Sequence, residues 1–224
     1  SSSDDDATVN RYGTYTAYYG GSIYCENSNV MIYQSKFDDS VSFSFGGSIA
    51  SLNSHITIKE SSLNNSKSIT DGGGAVYNSK SELHIFNSDI HGNSAEFGGA
   101  VCNINSVLDS YRSRYGHNHA THYGGVIYDI YGTLNVYLNQ FYVSRAEIGG
   151  VIYTRIPNEY NLESNSFGDA FANEGAAIFY DGKKQDVKPN YFGNDYYAFA
   201  EFTASLNGED YYIISNPIFY QLSS

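Results

Sequence analysis

The chain has 224 residues, enough for one repeat domain or two small globular ones, and carries 12 Lys and Arg against 24 Asp and Glu, a formal charge of −12. A surface this acidic repels phosphate backbones, so nucleic acid is excluded as the expected partner. Charged residues make up only 16% of the chain while Tyr (23) and Gly (22) are abundant beside Asn and Ser, which excludes a mostly helical fold in favour of strands joined by small polar turns.

In chain order, residues 1–11 are polar and acidic and read as a flexible lead-in. Ser1 to Asp6 has neither a basic n-region nor an apolar h-region, so any secretion signal is expected to have been removed. No run approaches the ~18–20 apolar residues of a membrane-spanning helix, so no membrane insertion is expected. Residues 12–192 repeat. A small-residue pair followed by an aliphatic recurs from Gly20-Gly21-Ser22-Ile23 through Gly46-Gly47-Ser48-Ile49, Gly73-Gly74-Ala75-Val76, Gly98-Gly99-Ala100-Val101, Gly124-Gly125-Val126-Ile127 and Gly149-Gly150-Val151-Ile152 to Gly175-Ala176-Ala177-Ile178. A second marker, an apolar residue closing a strand, falls at Tyr12, Phe37, Leu63, Ile90, Tyr115, Phe141, Phe167 and Phe192. Both markers advance by 25 to 27 residues at each step.

Between them lie alternating runs such as Val30-Met31-Ile32, Ile56-Thr57-Ile58 and Leu83-His84-Ile85, whose period of two is that of a half-buried strand. Each turn therefore reads as one strand at the glycine pair, one ending at the aromatic marker, and a short third around Asn93-Ser94-Ala95. Three strands and three bends in about 26 residues fit one rung of a right-handed parallel β-helix, an all-β solenoid of about seven rungs. The expected core is the column Ile23, Ile49, Val76, Val101, Ile127, Ile152 and Ile178 with a second column of Ile32, Ile58, Ile85, Val136, Leu162 and Val187. The glycines are explained by a bend that needs φ > 0 or close backbone packing, and a phosphate-cradle role is disfavoured because no helix follows them. Residues 193–224 lose the period but keep strand-like runs such as Tyr211-Tyr212-Ile213-Ile214, and read as a cap continuous with the helix. At the other end no cap is legible. Cys25 and Cys102 lie three turns apart, roughly 14 Å at the strand spacing, beyond bridging distance, so two free thiols are expected.

The rung Asn93-Ser94-Ala95-Glu96-Phe97-Gly98-Gly99-Ala100-Val101 resembles the "NSA, GGA(I/V)" repeat of adhesin-like surface proteins of methanogenic archaea, and is also similar to the GGA(I/L/V) and FxxN repeats of chlamydial polymorphic outer-membrane proteins. Asn190-Tyr191-Phe192-Gly193-Asn194-Asp195 resembles the aromatic "NxWG" segment closing the archaeal β-helix, which favours that family. The resemblance spans roughly residues 12 to 220. It implies secretion, anchorage by regions outside this sequence and attachment to other cells or polymers. There are departures: the Asn of FxxN stands as Asn93 and Asn118 but is Ser40, Ser66, Ser144, Ala170 and Asp195 in other rungs, and Tyr191-Phe192 stands where the family often has tryptophan.

Parallel β-helices also host pectate lyases and polygalacturonases. The candidate groups here are Asp38-Asp39, Asp89, His91 with Gly92, and Asp181 with Lys183 and Lys184, but Asp38 and Asp89 are two turns apart, about 10 Å along the axis, and the polygalacturonase order of motifs is missing. No catalytic residue and no cofactor are assigned; a polysaccharide-active enzyme on the same fold remains the alternative. His117, His119 and His122 are candidates for a divalent metal, the first two sharing a face if Asn118 points inward; three surface histidines is the plainer reading. The favoured ligand-binding feature is an aromatic ladder one position beyond the aliphatic column, Tyr24, Tyr77, Tyr128, Tyr153 and Phe179, interrupted at Ala50 and Cys102. By alternation it faces outward, where sugar rings would stack on it, with Tyr19, Phe45, Phe97 and Tyr123 before the glycines. The alternative is that these rings only shield the sheet. The sequence thus predicts an extracellular, non-catalytic adhesin-like scaffold at the cell surface, monomeric, binding polysaccharide or a surface protein of another cell. Asn64-Asn65-Ser66 is a formal glycosylation sequon.

Overall fold

The structure is a computed structural model that describes residues 7–9, 15–182, 190–192, 200–206 and 209–215, with side chains for 17–182 and Asn190. It is a parallel β-helix of six complete turns and the start of a seventh. Seven parallel strands carry the glycine-pair marker: Ile23–Glu26, Ile49–Leu52, Val76–Ser79, Val101–Ile104, Ile127–Ile130, Ile152–Arg155 and Ile178–Asp181. A second sheet stacks Asn29–Tyr33, His55–Lys59, Glu82–Phe86, Val107–Tyr111, Thr133–Tyr137 and Glu159–Glu163. The third side holds two strands per turn in the early rungs, as in Lys36–Asp38 and Val41–Phe45, which fuse into single strands at Gln140–Arg145 and Ser166–Phe171. Among the described residues no helix is long and apolar enough to cross a membrane.

Each early rung therefore has four strands where the sequence predicts three. The run containing Val30-Met31-Ile32 and the marker Phe37 belong to separate strands because the chain turns at Gln34, which holds φ +45°. Every corner contains a residue in the left-handed region. At the first corner this column is Asn27, Asn53, Lys80, Asn105, Tyr131 and Ile156; at the second, Gln34, Glu60, Asn87, Arg112, Leu138 and Ser164. At the fourth corner the residue is the first glycine of the pair. A Cβ on Gly124 (φ +65°) would stand 2.1 Å from the carbonyl oxygen of Ile127, so only glycine fits. The second glycine has a different cause: a Cβ on Gly125 would stand 2.1 Å from the carbonyl oxygen of Gly150 one rung on. Ala176 takes this place in the last rung, where the next strand of the sheet, Glu209–Ser215, runs antiparallel.

Side chains following the left-handed residues join the corners. Ser35, Ser61 and Ser88 donate their backbone N–H groups to the hydroxyls of Ser61, Ser88 and Ser113 respectively, at 3.1 to 3.2 Å. Ser113, Asn139 and Asn165 continue the column by donating to the side-chain oxygens of Asn139, Asn165 and Asn190 at 2.8 to 3.0 Å. The Asn of the FxxN pattern does the same at the third corner, where Asn93 Oδ1 accepts from Ser66 N at 2.8 Å. Serine and asparagine are interchangeable here because both offer an acceptor at the end of a short side chain.

The predicted columns form the core. Ile49, Val76, Val101, Ile127, Ile152 and Ile178 are buried, with Ile23 packed against them at the first rung. In the second column Ser110 pairs in register with Ile85 and Val136, filling the rung the apolar pattern skips; Val187 lies outside the described residues. The aromatic markers also point inward and stack, Tyr115 on Phe141 and Phe141 on Phe167, each with centroids 5.0 Å apart. Ser110 explains itself here: its hydroxyl lies 2.7 Å from that of the fully buried Tyr115. A polar column runs through the interior beside the aliphatic one, from Cys25, Ser51 and Asn78 to Asn103, Asp129 and Thr154. Cys25 and Cys102 are both free and buried, in neighbouring columns.

The ends turn back on the stack. Glu209–Ser215 pairs antiparallel with Ile178–Asp181, and Ala200–Leu206 pairs outside it, covering an edge as the sequence predicts of the segment after 193. Ala7–Val9, placed by the sequence in a flexible lead-in with no cap, instead pair antiparallel with Tyr15–Tyr19. Tyr12 lies outside the described residues.

Candidate functional site

The aromatic ladder is in register as predicted, but it is not an open surface. Tyr24 is 46% exposed and Tyr77 and Tyr128 are half-buried, whereas Tyr153 (9%) and Phe179 (6%) are buried. The rings before the glycines fold across it: Phe45 lies 4.5 Å from Tyr77, Phe97 5.2 Å from Tyr128 and Tyr123 4.8 Å from Tyr153, centroid to centroid. Burial, with Cys102 adding to it, pushes the Tyr77 phenol up to about 12. The two aromatic columns form one strip whose members mostly cover each other, the shielding alternative to an outward ladder.

Asn118 is buried, which turns His117 and His119 away from the core as predicted, yet the three histidines do not converge. The His117 ring packs 4.7 Å from that of His91, His119 Nδ1 approaches the carbonyl oxygen of Arg145 at 3.3 Å, and His122 Nδ1 lies 3.5 Å from Glu147 Oε2. Of the carboxylates considered for catalysis, Asp38, Asp89 and Asp181 are each paired with a cation. Lys36 lies 2.5 Å from Asp38 and holds its carboxyl below the ordinary range, helped by Asn64. Arg114 is 3.0 Å from Asp89, and Arg155 Nε is 3.1 Å from Asp181. Lys183 and Lys184 lie outside the described residues.

The richest surface is the outer face of the second sheet. Strand alternation that sends Ile56, Ile58, Leu83 and Ile85 inward sends their neighbours outward, and register aligns these into three columns. The middle column is hydrogen-bonding: Thr57, His84, Asp109, Asn135 and Asn161. Asn161 Nδ2 donates to Asn135 Oδ1 at 2.9 Å, Asn135 Nδ2 to Asp109 Oδ1 at 2.7 Å, and His84 Nδ1 stands 2.8 Å from Asp109 Oδ2. On one side the half-buried rings of Phe86, Tyr111 and Tyr137 occupy successive rungs, and with Asp109, Ser110 and Asn135 they line a depression of about 420 Å³. On the other side is an open groove of about 710 Å³ along the first corner, lined by Asn53, His55, Lys80, Glu82, Asn105 and Asn158 among others. Its edge holds His55, Glu82 and His84 close together. Sequence reasoning used these strands only for their inward residues; aligning the alternate positions at the same 26-residue step brings Phe86, Tyr111 and Tyr137 into one column.

No known protein family, curated protein or solved structure matches the chain.

Proposed function

We propose that this β-helix is a non-catalytic, extracellular adhesin-like scaffold that attaches to polysaccharide on another cell or polymer, and that the outer face of its second sheet is the attachment surface. The observation that carries this reading is the aromatic column Phe86, Tyr111 and Tyr137 beside the hydrogen-bonding column of His84, Asp109 and Asn135. A sugar presents an apolar ring face and a rim of hydroxyls, so stacking and polar groups side by side, repeated at the strand spacing of about 4.8 Å, suit an extended glycan. The regular rungs and the repeat's resemblance to archaeal adhesin-like proteins support a cell-surface scaffold anchored through other regions. The pairing of Asp38, Asp89 and Asp181 with cations, on different strands, supports attachment over hydrolysis, which needs two carboxylates facing one cleft.

The test is a pull-down of the purified chain against a panel of insoluble cell-wall and plant polysaccharides, beside two variants. Binding is expected for the wild type, lost in Tyr111→Ala/Tyr137→Ala and retained in Tyr77→Ala/Tyr128→Ala/Tyr153→Ala where that variant still folds. Retention by the first variant, or no binding by the wild type, contradicts the assignment.

A further inference from the structure

One cluster on the same face shares His84 with the attachment surface but carries a second chemistry of its own. His55 and Glu82 are register neighbours on successive rungs, and His84 lies two residues along from Glu82 on the same side of its strand. His55 Nδ1 is 2.9 Å from Glu82 Oε2, and His84 Nε2 is 3.8 Å from the same oxygen. All three donor atoms lie within 4.8 Å of one another. Donors bound tetrahedrally to one ion at about 2.0–2.1 Å stand about 3.4 Å apart, so the existing spacings bracket what an ion requires and small rotations of exposed side chains suffice.

What separates this cluster from a chance meeting of surface groups is the order behind it. His84 Nδ1 is taken by Asp109 Oδ2 at 2.8 Å, Asp109 is held by Asn135 at 2.7 Å, and Asn135 by Asn161 at 2.9 Å. With its Nδ1–H given to the carboxylate, His84 keeps the Nε2 lone pair toward Glu82, the arrangement by which a carboxylate fixes the tautomer of a metal-binding imidazole. The His84 side chain is only 18% exposed, whereas His55 (44%) and Glu82 (57%) are open to solvent along the groove. One donor is thus held still and two can close on it.

We propose that His55, Glu82 and His84 form a binding site for a divalent transition-metal ion such as Zn²⁺, with Asp109 as the positioning residue. Two imidazole nitrogens and one carboxylate oxygen suit zinc, copper or nickel, and not calcium or magnesium, which take oxygen shells. The remaining coordination positions face the groove, where water or a ligand oxygen completes the shell. The site does not depend on the adhesive reading and its test uses no glycan.

Isothermal titration of the full chain with zinc chloride tests it. A single saturable site is expected in the wild type, abolished in His55→Ala and in His84→Ala, and unchanged in His117→Ala/His119→Ala/His122→Ala, the control for scattered surface histidines. Asp109→Asn should weaken binding by about 10- to 100-fold and shift the visible spectrum of the Co²⁺-loaded protein, while leaving the thermal midpoint of the metal-free chain in place. Absence of saturable binding, undiminished binding in His84→Ala, or loss in the triple-histidine control overturns the site. An Asp109→Asn variant with wild-type affinity and spectrum overturns the positioning role.

Discussion

Asp129 points into the interior of the solenoid with no exposed surface, and its carboxyl is raised from 3.8 to about 6. Burial is the cause, opposed by hydrogen bonds from Asn103 Nδ2 at 2.7 Å and Thr154 Oγ1 at 2.8 Å and by the backbone of Gly132. Desolvation disfavours the charged form, so the folded state binds a proton more tightly than the unfolded chain. The contribution to stability is therefore fully present below about pH 4 and is lost as pH rises through 6, to a total of about 3 kcal/mol. Asp129→Asn keeps an acceptor for Asn103 and removes the charge. The variant should match the wild type in urea unfolding at pH 4 and exceed it by up to about 3 kcal/mol at pH 8; a difference independent of pH would refute this account of the carboxyl. Single residues such as this were the least legible in the sequence. Nothing in Ile127-Tyr128-Asp129 says that position three of the strand faces a polar interior column until Asn78 and Asn103 are seen below it. Ser110 was hidden likewise, since its partner Tyr115 is five residues away around a corner.

The corner is the element that turns a strand period into a solenoid. Its geometry was poorly legible because the left-handed residue of the second corner varies freely, from Gln34 to Arg112 to Leu138, while the informative residue is the Ser or Asn that follows. That residue works on the neighbouring rung. Asn139 Oδ1 accepts from Ser113 N at 2.8 Å, and Asn139 Nδ2 donates to the carbonyl of Ser110 at 3.0 Å. Asn139→Ala leaves both groups buried without this partner and should cost about 2 kcal/mol. Asn139→Ser should recover part of the loss, because serine fills this place in the four preceding rungs. Chemical denaturation of the two variants checks the ordering, and Ala equal to or more stable than Ser would contradict a capping role. The glycine pair was legible as a bend with crowded backbone; its division into one glycine for φ and one for a passing carbonyl needed the stacked rungs. The aromatic ladder shows the limit of alternation, which fixes the side of a sheet but not what lies over it. Phe45, Phe97 and Tyr123 end the strands before the glycine pair one rung earlier and close over Tyr77, Tyr128 and Tyr153.

At the scale of the molecule, the repeat was read correctly because two inward-facing columns, one aliphatic and one aromatic, keep the same step independently. Burial constrains both. The outward columns are under no such constraint, so the face bearing His84, Asp109, Phe86 and Tyr111 emerged only once the strands were in register. Every neighbour relation on that face, from the aromatic column to the His55, Glu82 and His84 cluster, follows from the stacking of rungs at about 4.8 Å. Spin-label distances measure that stacking directly. Asn27, Asn105 and Ile156 are exposed, hold the same left-handed corner place and lie zero, three and five rungs along the stack. Pulsed electron–electron double resonance on Asn27→Cys/Asn105→Cys and Asn27→Cys/Ile156→Cys, in a background with Cys25 and Cys102 replaced by Ser and Ala, should give separations that differ by about 10 Å, two strand spacings. Separations that do not grow with the number of rungs, or a broad distribution for both pairs, would contradict the β-helix and the site built on it.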